Sequence, residues 1–598
     1  MMSADTPEAL SPTPPPPPKE ITICQAEEPN TLFILGGASR AAYDVLEAVY
    51  DGPIDTRSYR LQPVILEKIP TIADGDVSLR SVIVRERTRV VNTDGDPVDL
   101  QEGVMVLSAD GQELTFTGGS VTMAQIVVTF TLRPDVTWAD GQPLTVDDSR
   151  YAFDLASQFD DPALRRLPER TQSYDPLDER TIVWVGLPGY RDPLYSLNFF
   201  PPLPRHVYGD LELANLLNTE AVHRKPLGWG AFAIEEWIAG DRITLVRNPH
   251  YFRAAEGLPH LDRVTFRFVP NLDQALDMLS NGECDLIHQD LIEGRDTGRL
   301  MEFVTSGALQ LVAAPSSTWM HLDFGIQPAS WVQRPDFFGD VRTRQAIAMC
   351  IDRGDIAERV FPADGALVAH SYIPFQHPQY ATGQLYQWDY DPAAGQTRLA
   401  EVGWWDENGD GILEAHGVPG VAAGVPFSVT LSVSDDYPLH KQVAEALAED
   451  LALCGIGVSV ETLPAEEFYA DGPDGLVFGR QFDLALFSWL NGLEPPCELY
   501  LSDQVPGAEN WWAASNDPGY VSPDYDAACR TARRSLPGVD EYTYFHQQAQ
   551  RIFSHDLPVL PLYFIPQTIG VRPGVTGVVL DPGEYLPLWN IEAFDVTW

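Results

Sequence analysis

The sequence predicts an α/β protein whose body is interrupted by a β-rich insertion. Three observations carry this. Strand-like and helix-like apolar patterns alternate through most of the chain. The stretch from about 60 to 135 reads almost wholly as β. A chain of 598 residues with 44% hydrophobic residues can bury several cores, which excludes global disorder.

The elements follow in order. Residues 1–18 form a Pro/Ser/Thr-rich segment, expected to be an extended spacer beyond an anchor or an ordinary disordered tail. EITICQ (20–25) reads as a short apolar strand, and AAYDVLEAVYDG as a helix that stops at Gly52. SVIVRERTRVV, GVMVLSADG and QIVVTFTLR are strands separated by DGD, ADGQE and TGG turns. TVDDSRYAFDLASQF is a helix that Thr145 and Asp148 can open as a capping box. RTIVWVGL is a strand, AFAIEEWIAGDRITLVRN a hairpin and RVTFRFVP a strand. NLDQALDMLSNGE is an amphipathic helix ending at Gly282, followed by the short strand CDLIHQD. DVRTRQAIAMCIDR is a helix with Asp340 as N-cap, and PLHKQVAEALAEDLALCGI a helix closed by Gly455. GVSVETL and FDLALFSWL are strands. LPVLPLYFIPQTIGV is apolar but broken by prolines, which suits edge strands or a crossing segment.

Charge excludes some functions. With 39 Lys+Arg against 86 Asp+Glu the net charge is −47, so nucleic acid and anionic bilayers are poor partners. No lysine follows a glycine, which excludes a phosphate-binding GK[ST] loop. No GxSxG string occurs. Gly228-x-Gly230 with Ala233 resembles a dinucleotide fingerprint, but a strand follows it where a phosphate-facing helix is required. The expectation is a protein that is not an enzyme. No apolar run approaches a membrane span, and no signal-peptide pattern precedes residue 20. The six cysteines lack zinc or haem spacing; they fit either disulfides or buried thiols.

Asp406-Glu-Asn408-Gly-Asp410-Gly411-Ile412-Leu-Glu414 offers oxygen ligands at relative positions 1, 3, 5, 7 (a carbonyl) and 9, with Gly at 6. It is a candidate structural calcium loop, although position 12 is Gly417; the alternative is an Asx-turn-rich loop. No other cofactor is expected. Of 14 tryptophans, Trp138, Trp229, Trp319 and Trp489 lie beside turns, as pocket walls or as packing.

Four segments together resemble the family 5 extracellular solute-binding proteins, the dipeptide/oligopeptide/nickel class of ABC-transporter receptors. FTLRPDVTWADGQPLTVDDSRYAFD (130–154) is similar to that family's signature stretch. PLGWGAFAIEEWIAGDRITLVRNPHYF (226–252), LPHLDRVTFRFVPNLDQALDMLSNGECDLI (258–287) and DVRTRQAIAMCIDR (340–353) follow in family order. The resemblance implies a type II periplasmic-binding fold of two α/β lobes with a hinge and an extra domain. Domain I would comprise 19–60, 187–305 and 565–598, the β-rich domain II 61–186, and domain III 306–564.

The implied function is capture of a peptide or other polar small solute between the lobes, and its delivery to an ABC-transporter permease. A peptide-signal receptor on the same fold, or a secreted hydrolase, are the alternatives. The expected location is extracytoplasmic, with a lipid anchor in the native precursor, and the expected state is a monomer. The resemblance places Trp489 in the pocket wall and the ligand anchors just after it, at Asn491, Gly492 and Glu494, with Trp229 and Trp319 as further pocket candidates. In peptide-binding members an Asp at the position of Gly492 pairs with the peptide's α-ammonium. Its absence here predicts weak binding of unmodified dipeptides unless Glu494 takes over. Cys497–Cys529 is expected as a disulfide across a loop of weak periodicity. Cys24–Cys284 and Cys350–Cys454 are the further pairings, within the first and second lobes.

Overall fold

The computed structural model describes residues 17–293, 297–361, 366–584 and 586–598. The expected spacer at 1–18 lies outside them except for Pro17 and Pro18. One 11-stranded sheet runs through the molecule. Its first five strands are Phe232–Ile238, Arg242–Arg247, Arg263–Phe268, Glu20–Gln25 and Leu286–Ile287. Then come the two longest strands, Val559–Val571 and Gln310–Phe324, followed by Leu484–Leu490, Ser428–Ser434 and Gly457–Leu463. Leu367–Val368 pairs alongside Val559–Val571. The strands before the long pair belong to one lobe and those after it to a second.

Local chemistry sets the helix ends. The Asp148 carboxylate accepts the Thr145 N–H at 3.0 Å at the start of helix Val146–Ala156. Asn271 accepts from Gln274 N at 2.9 Å, opening Leu272–Ser280, and Asp340 accepts from Arg342 N at 2.9 Å, opening Val341–Cys350. Gly228 and Gly230 serve packing. A Cβ on Gly228 would lie 2.0 Å from the Val49 carbonyl oxygen, so only glycine lets this loop press against the end of helix Arg40–Val49.

The proline-broken stretch near the C-terminus is a single central strand, Val559–Val571, rather than a set of edge strands. The prolines are tolerated because the ladder with Gln310–Phe324 shifts register between Pro315 and Trp319 and again between Met320 and His321.

A separate four-stranded sheet, Thr171–Pro176, Thr181–Gly186, Ser120–Thr131 and Val77–Arg85, carries the β-rich region. Its Ile126, Val128 and Trp184 pack into the same core as Ile21, Val45 and Trp229 of the first lobe. Leu431, Val443, Leu486 and Tyr563 lie in the second lobe's core. Disulfides join Cys24–Cys284, Cys350–Cys454 and Cys497–Cys529, with Cα separations of 6.0, 6.1 and 5.7 Å. Among the described residues no helix is long and apolar enough to cross a membrane.

Candidate functional site

The two long strands join the lobes, and their pairing breaks midway. Gln310–Pro315 pairs with Pro566–Val571, and pairing resumes at Trp319 opposite Phe564. Residues 316–318 and 565–568 form the floor of a cleft of about 610 Å³, within the usual range for solute sites. The first lobe supplies Arg40, Gln289, Ile292 and Glu293, and the second supplies Phe361, Tyr437, Pro438, Leu439 and Leu490. One wall is therefore largely polar and the other largely apolar.

Two polar groups stand ready in these walls. Gln289 is 3% exposed, and its Nε2 has no hydrogen-bond partner among the described residues. The Tyr437 hydroxyl also lacks one among them. Buried polar groups are nearly always paired, so such groups facing a cleft are natural ligand contacts. The Tyr437 phenol is pushed up by burial and by Glu293, which keeps it a neutral donor.

Charge in the cleft is sparse. Arg40 pairs with Glu293 at 3.3 Å. Glu584 also lines the cleft; burial is the main cause that raises its carboxyl to about 7, with Asp581 adding to it. Behind Gln289 lies a buried ionic cluster. His288 Nε2 is 3.2 Å from Asp44 and its Nδ1 2.9 Å from Asp290. Burial opposes the imidazolium, but the two carboxylates outweigh it and raise His288 to about 10. A second cluster lies in the other lobe, where His321 contacts the Asp323 carboxyl and Asp517 faces it, all fully buried. Burial lowers His321 to about 3 and raises Asp323 to about 8, which leaves a neutral imidazole beside a carboxylic acid.

Residues 120–508 match the family described as bacterial extracellular solute-binding proteins, family 5 middle. The chain belongs to this family. It is 25% identical over 479 residues to the oligopeptide-binding protein AppA of Bacillus subtilis, covering 77% of this chain and 79% of that one. It is 23% identical over 510 residues to the periplasmic oligopeptide-binding protein OppA of Escherichia coli, covering 80% and 84%. The structure of Bacillus subtilis AppA in complex with a nonapeptide has the same fold, with a TM-score of 0.58 at 19% identity, covering 97% of this chain and 100% of that one.

In this family 5 protein the sequence-predicted residues separate. Trp229 is corrected to a core residue: it is 1% exposed, donates its indole N–H to the Asp51 carbonyl at 2.7 Å, and packs edge-on against Tyr50 and Trp138. Trp319 is likewise fully buried, with its ring 4.5 Å from that of His321. Neither lines the cleft. Trp489 pairs with Trp319 across neighbouring strands, one residue before the cleft-lining Leu490. Asn491 donates its backbone N–H to the Ser317 carbonyl at 3.0 Å, just under the cleft floor, and its side chain is spent on the Tyr372 carbonyl. Gly492 lies in open space, where an added Cβ meets nothing within 4 Å among the described residues. Glu494 turns away: it accepts from the Tyr542 hydroxyl at 2.5 Å and contacts His546 Nε2 at 3.1 Å.

Gln289, Tyr437 and Glu584 were not legible as site residues. Gln289 and Tyr437 sit at ordinary helix starts and Glu584 in an irregular stretch, and only the three-dimensional convergence marks them. Pro315 and Pro566 are the signal that sequence reading can use, because two prolines in facing strands mark where a ladder breaks.

The acidic loop lies between the short strands Trp404–Trp405 and Glu414–Ala415. Carboxylate oxygens of Asp406, Asp410 and Glu414 lie within 4.8 Å of one another. Asp406 accepts the backbone N–H groups of Gly409 and Gly411 at 2.6 and 3.0 Å, and Asn408 accepts that of Asp410 at 2.8 Å. This oxygen-only donor set fits a hard cation such as Ca²⁺.

Proposed function

We propose that this family 5 protein is the extracytoplasmic receptor of an ABC importer, which captures a peptide or other polar small solute between its lobes and passes it to a membrane permease. The observation that carries this is the pair Gln289 and Tyr437, unpartnered among the described residues, on opposite walls of a cleft whose floor is the break in the connecting strands. A solute that bonds to both is held more fully when the lobes are close, so it shifts the balance toward closure. Peptide is the leading class, supported by the oligopeptide-binding relatives named above. The domain limits expected from the sequence, a monomeric state and a lipid-anchored precursor go with this reading. The experiment is native mass spectrometry of purified protein, followed by calorimetry with a defined mixture of tri- to nonapeptides. Co-purified or added peptide with ligand-driven compaction in small-angle scattering supports the reading; no binding of any peptide sinks it.

The loop with Asp406, Asn408, Asp410, Ile412 and Glu414 is proposed as a structural calcium site, with the Ile412 carbonyl as one ligand. Ca²⁺ is expected to raise the melting temperature, and Asp406→Asn to abolish that rise. An equal melt in calcium and in chelator removes the proposal.

A further inference from the structure

Glu584 does not stand alone beside the cleft. Around it come Glu47 near the end of helix Arg40–Val49, Asp51 just past that helix, Asp55 on the strand Ile54–Arg57, and Asp581 and Glu592. The facing cations are Arg57 and Arg253. Arg253 is committed to Glu592 at 2.7 Å and Glu256 at 3.2 Å, and Arg57 lies over the Trp589 ring at 4.8 Å. The neutral hydrogen-bonding groups are Tyr251, whose hydroxyl donates to Asp51, and Tyr59, close to Asp581. Six carboxylates thus meet two guanidiniums. Within the cleft, Arg40 is paired with Glu293, which leaves Glu584 as the cleft-lining charge without a cation of its own in the cleft. The nine-tenths-buried Gln289, with its Nε2 unpartnered among the described residues, marks the same cleft independently as a place built for a ligand.

We propose that the cleft selects a cationic solute, such as a peptide bearing a basic side chain, and that Glu584 receives its positive group. This deepens the receptor reading and rests on it for the cleft's role. A low-dielectric wall focuses the field of Glu584, once ionised, onto the cleft, which attracts cations and repels anions. Gly492 supplies no carboxylate and Glu494 is occupied by Tyr542 and His546, so Glu584 is the cleft-lining carboxylate left to receive the positive group.

A proton is linked to this capture. Burial first, then neighbouring carboxylates, raise Glu584 and Asp55 to about 7 and Asp51 to about 8. The cluster therefore holds protons near neutrality that a bound cation displaces. The sign follows: a cation prefers the carboxylate, so affinity rises as pH rises through about 7. For one such group the ionised fraction changes about tenfold between pH 6 and pH 8.

The test is calorimetry with trilysine, trialanine, triglutamate and spermidine as probes, at pH 6 and pH 8, in phosphate and in Tris. Trilysine is expected to bind about tenfold tighter than trialanine at pH 8, with triglutamate weakest. Trilysine is expected to weaken about tenfold at pH 6, with a buffer-dependent heat that reports proton release. Glu584→Gln keeps an acceptor for the Thr56 N–H. It is expected to remove the trilysine advantage and its pH dependence while trialanine affinity stays within about twofold. Equal binding of the three tripeptides, tighter triglutamate, or an undiminished preference in Glu584→Gln overturns the inference and leaves the receptor reading standing. Glu584-dependent binding of spermidine without any tripeptide supports the inference and removes tripeptides as ligands. If no probe binds, the inference falls, while the receptor reading stands or falls on the longer peptides named above.

Discussion

Pro315 and Pro566 face each other across the two strands that join the lobes. Neither carries an N–H, so the ladder lacks two donors at the point where its register breaks. Replacing both by alanine is expected to extend the ladder, reduce ligand-driven compaction in small-angle scattering, and change stability by less than about 1 kcal/mol. Full compaction in the double variant would place the hinge elsewhere.

Gln289→Leu and Tyr437→Phe each remove a polar group that lacks a partner among the described residues. Each is expected to weaken ligand binding by about 1 kcal/mol, roughly fivefold, while the melting temperature of the free protein holds or rises. Calorimetry paired with thermal melts separates the two effects.

His288→Ala leaves Asp44 buried without its cation. A loss of about 3 kcal/mol is expected at pH 6. Because the folded value is raised to about 10 from 6.5, the ion-pair contribution is complete below about pH 6.5 and fades as pH rises toward 10. Denaturant titrations of wild type and variant should therefore converge on the alkaline side.

Asp517 faces Asp323 in the second lobe, and burial followed by that like charge raises it well above the ordinary range. The folded state holds protons here that the unfolded chain releases near pH 4. The stability contributed by the pair is thus full below that pH and lost as pH rises through about 8. Asp517→Asn is expected to exceed wild type in stability by about 1–2 kcal/mol at pH 8, and by less at pH 5. Melts at the two pH values decide it.

Cys497 and Cys529 close a loop with a sequence separation of 32. Replacing both by serine is expected to cost about 3–4 kcal/mol in the chain-entropy model. Reducing agent should mimic only part of this, because both cysteines are fully buried.

The regular elements were legible because periodicity and caps are local. Asp148 and Asp340 announced helix starts that the structure shows. The alternation of strands and helices foretold the α/β body. Pocket tryptophans were not legible in the same way. Trp229 and Trp319 sit beside turns like true pocket walls, but a turn does not say which side of it is solvent. Gln289 and Tyr437 carry no pattern at all, since their meaning comes from lobes that are far apart in sequence.

The first lobe's sheet is completed by a strand from the far end of the chain. Ile287 has Cys24 on one side, but on the other side its neighbour is Gly570. Whether the chain emerges from a ribosome or an export channel, this strand edge stays open until the last segment arrives. At about 5–20 residues per second, synthesis alone leaves it open for tens of seconds. Open edges recruit other strands, so nascent molecules carry an aggregation hazard that the finished one lacks. The second lobe waits for the same segment, because Leu560 and Tyr563 of that strand lie in its core.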